Sequence, residues 1–204
     1  MLRLISALVL AGALTACATG TTNLTLVAPT PTAAVLSEAP ATTLDVTVTD
    51  SRARVDRIGD KRNGYGMVMG AVGTTAPPAD IIEDALEAVV TANNHRLGGD
   101  NDRYALQTTL RNFWFDYRTG LVTVEFFGSV QGDVALVDRT TNQTLYSETF
   151  DGYYSERTGG GLSQTWTRIM NGALGDFATK VGMSEGLRAA IAATHEPAPA
   201  DTNS

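Results

Sequence analysis

The sequence predicts an α+β domain of two layers, a mostly antiparallel sheet with two helices on one face, in the order β-α-β-β-β-α. Three observations carry this. Two segments place apolar residues at a 3.6-residue period, four others alternate apolar and polar residues with a period of two, and three of those strands follow one another with short turns between them. The chain has 204 residues, 43% of them hydrophobic and 18% charged, which suits one globular domain, expected over residues 44–193.

The elements follow in order. Leu44, Val46 and Val48 alternate with polar residues and mark the first strand. A polar, glycine-spotted stretch then runs from Asp50 to Thr75 and is expected as a loop. Pro77-Pro78 opens a helix over Ala79–Asn93, with Asp80, Glu83 and Asp84 favoured by the dipole of its first turns. Its residues Ile81, Ile82, Ala85, Leu86, Val89 and Val90 fall on one face, and Gly98-Gly99 ends the unit. Arg118-Thr119-Gly120-Leu121 reads as a tight hairpin turn with Thr119-Gly120 at its tip. That register sets Tyr117 opposite Val122, Phe115 opposite Val124 and Phe113 opposite Phe126, all on the buried face. Farther from the turn the apolar parity of the first strand switches to Leu110, Leu106 and Tyr104, while its partner keeps Val130, Val134 and Leu136. A one-residue bulge near Arg111-Asn112 reconciles the two, because an extra residue exchanges the faces. Thr140-Thr141-Asn142 turns the chain into a strand over Gln143–Tyr153. The other face of the central strand reads Thr123, Glu125, Phe127, Ser129, Gln131 and Asp133, so one side of the sheet is expected to stay open. Gly159-Gly160-Gly161 breaks the chain before a helix over Leu162–Val181, whose apolar residues run Trp166, Ile169, Met170, Ala173, Leu174, Phe177 and Val181.

The ends have a different composition. Arg3 followed by the apolar run Leu4–Leu14 has the form of an export signal, too short to span a bilayer as a helix. Leu14-Thr15-Ala16-Cys17 resembles the lipobox of bacterial lipoproteins, which implies cleavage after residue 16 and acylation of Cys17, the one cysteine of the chain. One acyl chain binds a membrane only marginally, whereas two or three hold the protein there. Ala18, in the position after the acylated cysteine, points to the outer membrane and a domain facing the periplasm. Residues 17–43, rich in Thr, Ala and Pro, are expected to be a tether, in which Leu24, Leu26 and Val27 form at most a short edge strand. Residues 194–204 have the composition of a disordered tail.

The lipobox, the strand ending in Asp50-Ser51-Arg52, the Ile58-Gly59 pair and the element order together resemble the YajG-type family of outer-membrane lipoproteins. The resemblance covers most of the mature chain. It implies an anchored, periplasm-facing domain of this fold, and brings no catalytic residues with it. The Gly64-Tyr65-Gly66-Met67-Val68-Met69-Gly70 stretch departs from the family pattern.

The chemistry available is narrow. A net charge of −7, becoming −8 once the segment bearing Arg3 is removed, disfavours nucleic acid, and the basic run Arg52, Arg54, Arg57, Lys61 and Arg62 is interleaved with Asp50, Asp56 and Asp60. The two histidines, His95 and His195, have no metal-ligand partners at suitable spacing and no neighbouring nucleophile motif, so neither metal nor cofactor is expected. His95 reads as a cation near a helix C-terminus. The glycines Gly64, Gly66 and Gly70 miss a nucleotide-binding pattern by one residue and mark a flexible or membrane-facing loop instead. Gly159–Gly161 reads as a hinge before a helix rather than an anion site. Asp50 and Arg52, two apart on a strand, point the same way and are expected to organise the loop that follows. Asp116, Glu125 and Asp133 are too widely spaced for paired-carboxylate catalysis. The candidate contact patch is Trp114 with Phe127 and Glu125 on the open face. Two functions are consistent with these features: a non-enzymatic lipoprotein that binds another envelope protein through its open sheet face or the Gly64–Gly73 loop, or a carrier or sensor of a small apolar ligand or lipid held between sheet and helices in a cavity lined by Phe113, Phe115, Phe126 and Trp166.

Overall fold

The structure, a computed structural model, describes residues 20–63, 65–120, 122–158 and 163–195. The export segment, Cys17, Gly64, Gly159–Gly161 and the tail beyond residue 195 lie outside these residues. The fold is α+β, with a mixed and mostly antiparallel sheet. Among the described residues, strands β1 (Thr22–Leu24), β2 (Thr43–Asp50), β3 (Gly59–Arg62) and β4 (Val68–Thr74) precede helix α1 (Pro78–Ala92). Then come β5 (Arg96–Leu97), the long strands β6 (Tyr104–Thr119), β7 (Val124–Asp138) and β8 (Gln143–Thr158), and helices α2 (Ser163–Gly182) and α3 (Glu185–Ala193).

β6 is the axis of the sheet. One edge pairs antiparallel with β7, which pairs with β8. Its other edge is shared: β2 runs parallel to Ala105–Leu110, and β3 joins in parallel at Phe115. Helices α1 and α2 lie together on one face, α1 against β2 and α2 against β7 and β8. All six apolar residues expected on the inner side of α1 are buried. Pro78 opens that helix, where a missing N–H costs no intrahelical bond. α2 approaches so closely that a side chain at Gly152 would meet the Cβ of Phe177 at 2.6 Å.

The bulge expected near Arg111-Asn112 is present: the register shifts between Leu110 and Asn112, with Arg111 as the extra residue. It allows Leu106, Leu110, Phe113 and Phe115 all to be buried although their parity changes. The hairpin turn is wider than expected. Tyr117 lies opposite Phe126, Phe115 opposite Gly128 and Phe113 opposite Val130, and residues 120–123 form a four-residue connection bridged by Gly120 N–H to Thr123 C=O at 2.8 Å. The shift of four is even, so the buried face is the expected one while the partners change. Val122 is exposed rather than opposite Tyr117.

Four further points differ from expectation. Residues 20–43 are part of the domain and not a stand-off tether: β1 pairs with β4, a 3₁₀ turn forms at Val35–Glu38, and Leu24 and Leu36 are buried in the core. The Asp50–Thr75 stretch contains the β3–β4 hairpin, with Gly66 in the left-handed region (φ 81°) at its turn and Gly70 within β4. The third helix, α3, was not expected; Ser184 caps it by accepting the Leu187 N–H at 3.1 Å. His95 is buried, not a surface cation. Its Nδ1 accepts the Thr42 N–H at 3.3 Å, which leaves Nε2 as donor to the Leu36 carbonyl at 3.1 Å, so the neutral ring ties the 35–42 segment to the body. Burial pushes the His95 pKa below its ordinary value, with the nearby His195 charge adding to that, against the opposing Leu36 hydrogen bond.

Candidate functional site on the open sheet face

The two features singled out separately in the sequence, the Asp50–Arg52 pair and Trp114, meet in one place. β6 has a gap along its shared edge between the end of β2, where Ser51 N–H reaches Leu110 C=O, and the start of β3, where Phe115 N–H reaches Ile58 C=O. The Arg52 side chain, 4% exposed, occupies this gap. Its guanidinium grips Asp50 with two parallel bonds of 2.9 and 2.8 Å, and donates to the carbonyls of Arg57 (3.2 Å), Val55 (3.4 Å) and Phe113 (3.5 Å). A forked guanidinium suits this, since one side chain satisfies a carboxylate and several loop carbonyls together. Partial burial raises the Asp50 pKa, but the Arg52 hydrogen bonds and charge outweigh it and hold the carboxyl below its ordinary value. The pair closes the loop, as its spacing implies.

Around this plug is a cavity of about 350 Å³ lined by Arg52, Ala53, Arg54, Arg62, Arg111, Asn112, Phe113 and Trp114. Trp114 is half-buried, and the Arg54 guanidinium lies 5.4 Å from its ring centre. The bulge places Arg111 and Asn112 consecutively on the outer side, where Arg111 pairs with Asp133 at 2.7 Å and Asn112 donates to Ser129 Oγ at 2.8 Å. Asp60, 4% exposed, serves three guanidinium groups: Arg57 at 3.0 Å, and Arg54 and Arg62 both at 3.3 Å. Arg57 also holds Asp56 at 2.9 Å, so two carboxylates among three cations leave a small local excess of positive charge in an acidic protein.

Farther across the same face, Phe127 stacks on Tyr153 at 6.1 Å and is capped by Arg118 at 4.7 Å. Trp114 pairs with Ser129, so Phe127 is its diagonal neighbour. Glu125 lies opposite Arg118 and 3.9 Å from Arg157, not opposite Trp114 as expected. The structure thus joins Trp114 and Phe127 to Arg52 and adds Arg54, Arg111 and Tyr153. Arg111 has a signal in the sequence, because a bulge that exchanges the faces also turns its extra residue outward. Arg54 and Tyr153 depend on tertiary contacts.

A second concavity lies at the end of the sheet near the two hairpin turns. It is an open groove of about 360 Å³ lined by Asp60, Lys61, Arg62, Phe115, Tyr117, Val124, Phe126 and Trp166. Phe115 stacks on Phe126 at 6.0 Å and lies 5.2 Å from Trp166. The Trp166 Nε1 is buried without a hydrogen-bond partner. Phe113, expected to line the same cavity, is sealed in the core. Among the described residues no three of His, Cys, Asp and Glu gather as metal ligands would, and no helix is long and apolar enough to cross a membrane.

No family model matches the chain, and no curated protein matches it in sequence. A solved structure shares the architecture, and others match less well. A Xanthomonas campestris protein of the DUF330 family superposes with a TM-score of 0.56 at 17% identity, over 84% of this chain and 95% of that one. A minor lipoprotein from Acinetobacter baumannii gives a TM-score of 0.46 at 18% identity, over 72% of this chain and 92% of that one. At this identity the first of these likenesses speaks for the fold alone.

Proposed function

We propose that the chain is a lipid-anchored envelope lipoprotein whose domain acts as a non-enzymatic binding module, holding another envelope protein at its open sheet face. Anchoring rests on Leu14-Thr15-Ala16-Cys17 after an apolar export segment, and the outer membrane is the destination that Ala18 favours. The observation that carries the binding role is the cavity in which four arginines surround the half-buried Trp114, continued by Phe127 and Tyr153. Tryptophan, tyrosine and arginine dominate the energetics of protein contacts, since each combines a broad apolar surface with a directed polar group. The test is photocrosslinking in intact cells, with the reactive residue at Trp114 and a control at Thr141 on the distant β7–β8 turn. A discrete protein captured at Trp114 and absent at Thr141 is the expected result; identical patterns at both positions would remove the interface.

A second reading, a carrier of a small apolar ligand, draws support from the groove at Phe115, Tyr117, Phe126 and Trp166, whose size falls within the usual range for ligand sites. Soaking with a fluorescent fatty acid separates the readings: carriage requires binding that Trp166→Ala weakens and Trp114→Ala leaves unchanged.

A further inference from the structure

Five of the large apolar side chains left in water belong to two neighbouring turns. Tyr65 (92% exposed), Met67 (58%), Val68 (51%) and Met69 (36%) form the tip of the β3–β4 hairpin, and Val122 (91%) is at the β6–β7 turn. β3 runs parallel to β6, and the Tyr117 hydroxyl donates to the Arg62 carbonyl at 2.7 Å, so both tips stand at the same end of the sheet. An apolar cluster of this kind marks a surface that is covered in use.

The direction of the chain identifies the cover. β1 is parallel to β4, with Thr22 level with Val72 and Leu24 with Thr74, so the backbone enters β1 from the side of the hairpin tips. Lys61 Nζ donates to Thr22 Oγ1 at 3.0 Å and fixes that entry point. Cys17 precedes Thr22 by five residues, a reach of at most about 17 Å, while Val68 at the tip is four residues, about 13 Å, from Val72. The acylated residue therefore lies within reach of the plane of the tips. The charges agree. Lys61, Arg62, Arg118 and Arg157 flank this end of a protein whose net charge is −7. Glu125 faces Arg157, Glu156 is bound by Arg168 at 2.6 Å and Asp60 is buried among arginines that include Arg62, so the cations left over at this end are Lys61 and Arg118, with Asp116 as the nearby acid outside these pairs. Basic residues around an apolar tip suit the anionic surface of a phospholipid bilayer.

We infer that the β3–β4 and β6–β7 hairpin tips rest in the headgroup region of the same bilayer that holds Cys17, so that the domain stands on the membrane in one orientation. This rests on the lipid-anchor reading. β7, 15 residues long, then carries the β7–β8 turn about 50 Å from the membrane, and the Trp114 cavity opens to the side about 17 Å above it.

The test uses the acylated chain, purified from membranes and reconstituted in phosphatidylethanolamine–phosphatidylglycerol vesicles. Single nitroxide labels are placed through Tyr65→Cys, Val122→Cys or Thr141→Cys, Cys17 being blocked by its lipid. Labels at 65 and 122 are expected to be relaxed more by oxygen than by a water-soluble nickel chelate, and the label at 141 the reverse. If all three labels are equally open to nickel while the protein floats with the vesicles, the docking is wrong and the anchor stands. Labels at 65 and 122 that couple magnetically to a second copy would instead make the tips a protein interface and also overturn it. A chain that fails to float overturns the anchor and the docking together.

Discussion

The long strands β6 and β7 carry two surfaces with the same twist, same length and interleaved residues, and the two have opposite fates. On the inner side Phe113, Phe115, Phe126 and Val130 are buried under α2, and glycines at 128, 132 and 152 let the helix come close. On the outer side Trp114, Phe127 and Ser129 are half-exposed, and the covers are guanidinium groups rather than a helix. Arginines can be displaced by a partner at little cost because they return to water, whereas moving a packed helix costs the whole core. The difference teaches how one hairpin serves as foundation on one side and as contact surface on the other.

Adjacent residues offer the sharpest way to break this comparison. Phe113→Ala is expected to lower stability by about 3–5 kcal/mol, through lost transfer energy and the cavity left behind. Trp114→Ala is expected to cost about 1 kcal/mol or less and to abolish capture of the partner by a photoreactive residue placed instead at the exposed Tyr153 of the same face. Urea denaturation of both decides it; equal losses would mean that the outer face is core. Next in size is Arg52→Ala. It leaves the carbonyls of Val55, Arg57 and Phe113 without this donor and Asp50 with the residue 52 backbone N–H alone (3.1 Å), for an expected loss of about 2–3 kcal/mol. Hydrogen exchange should show the Ala53–Ile58 loop opening while α2 stays protected.

A smaller effect has the opposite sign. Thr108, on the inner face, buries its hydroxyl with no hydrogen-bond partner. Thr108→Val keeps the shape and removes that desolvated group, so the melting transition should move up, with a gain of about 1 kcal/mol. The smallest prediction concerns pH. The folded pKa of His95 lies below the ordinary value of 6.5, so the unfolded chain takes up the proton first as pH falls. The contribution of the neutral ring is complete above about 6.5 and is lost as pH falls from there through the folded pKa. Denaturation at about pH 7.5 and 5.5 should therefore show a decline that His95→Gln reduces. An equal decline in both proteins would dispose of the neutral tie to Leu36 and Thr42.

Short-range periodicity determined much of this protein. The bulge at Arg111 could be read because a change of parity between Leu110 and Phe113 has no other local solution, and the buried side of α1 because six apolar residues recur at helical spacing. The open face followed from the polar alternation of β7. Part of the candidate site was legible for the same reason: Trp114 and Phe127 were assigned to the outer side, and Asp50 with Arg52 to one loop. The partners across the hairpin were not, since a two-residue and a four-residue turn preserve the same faces and only the closed loop distinguishes them. Nor was the role of residues 20–43, in which Leu24 and Leu36 are isolated apolar residues without a period and become core only because β4 and α3 are there to receive them. The gathering of Arg54, Arg62 and Arg111 around Trp114 was likewise decided by tertiary structure. It depends on β2 and β3 sharing one edge of β6, a pairing between residues more than 50 positions apart, which no local pattern encodes.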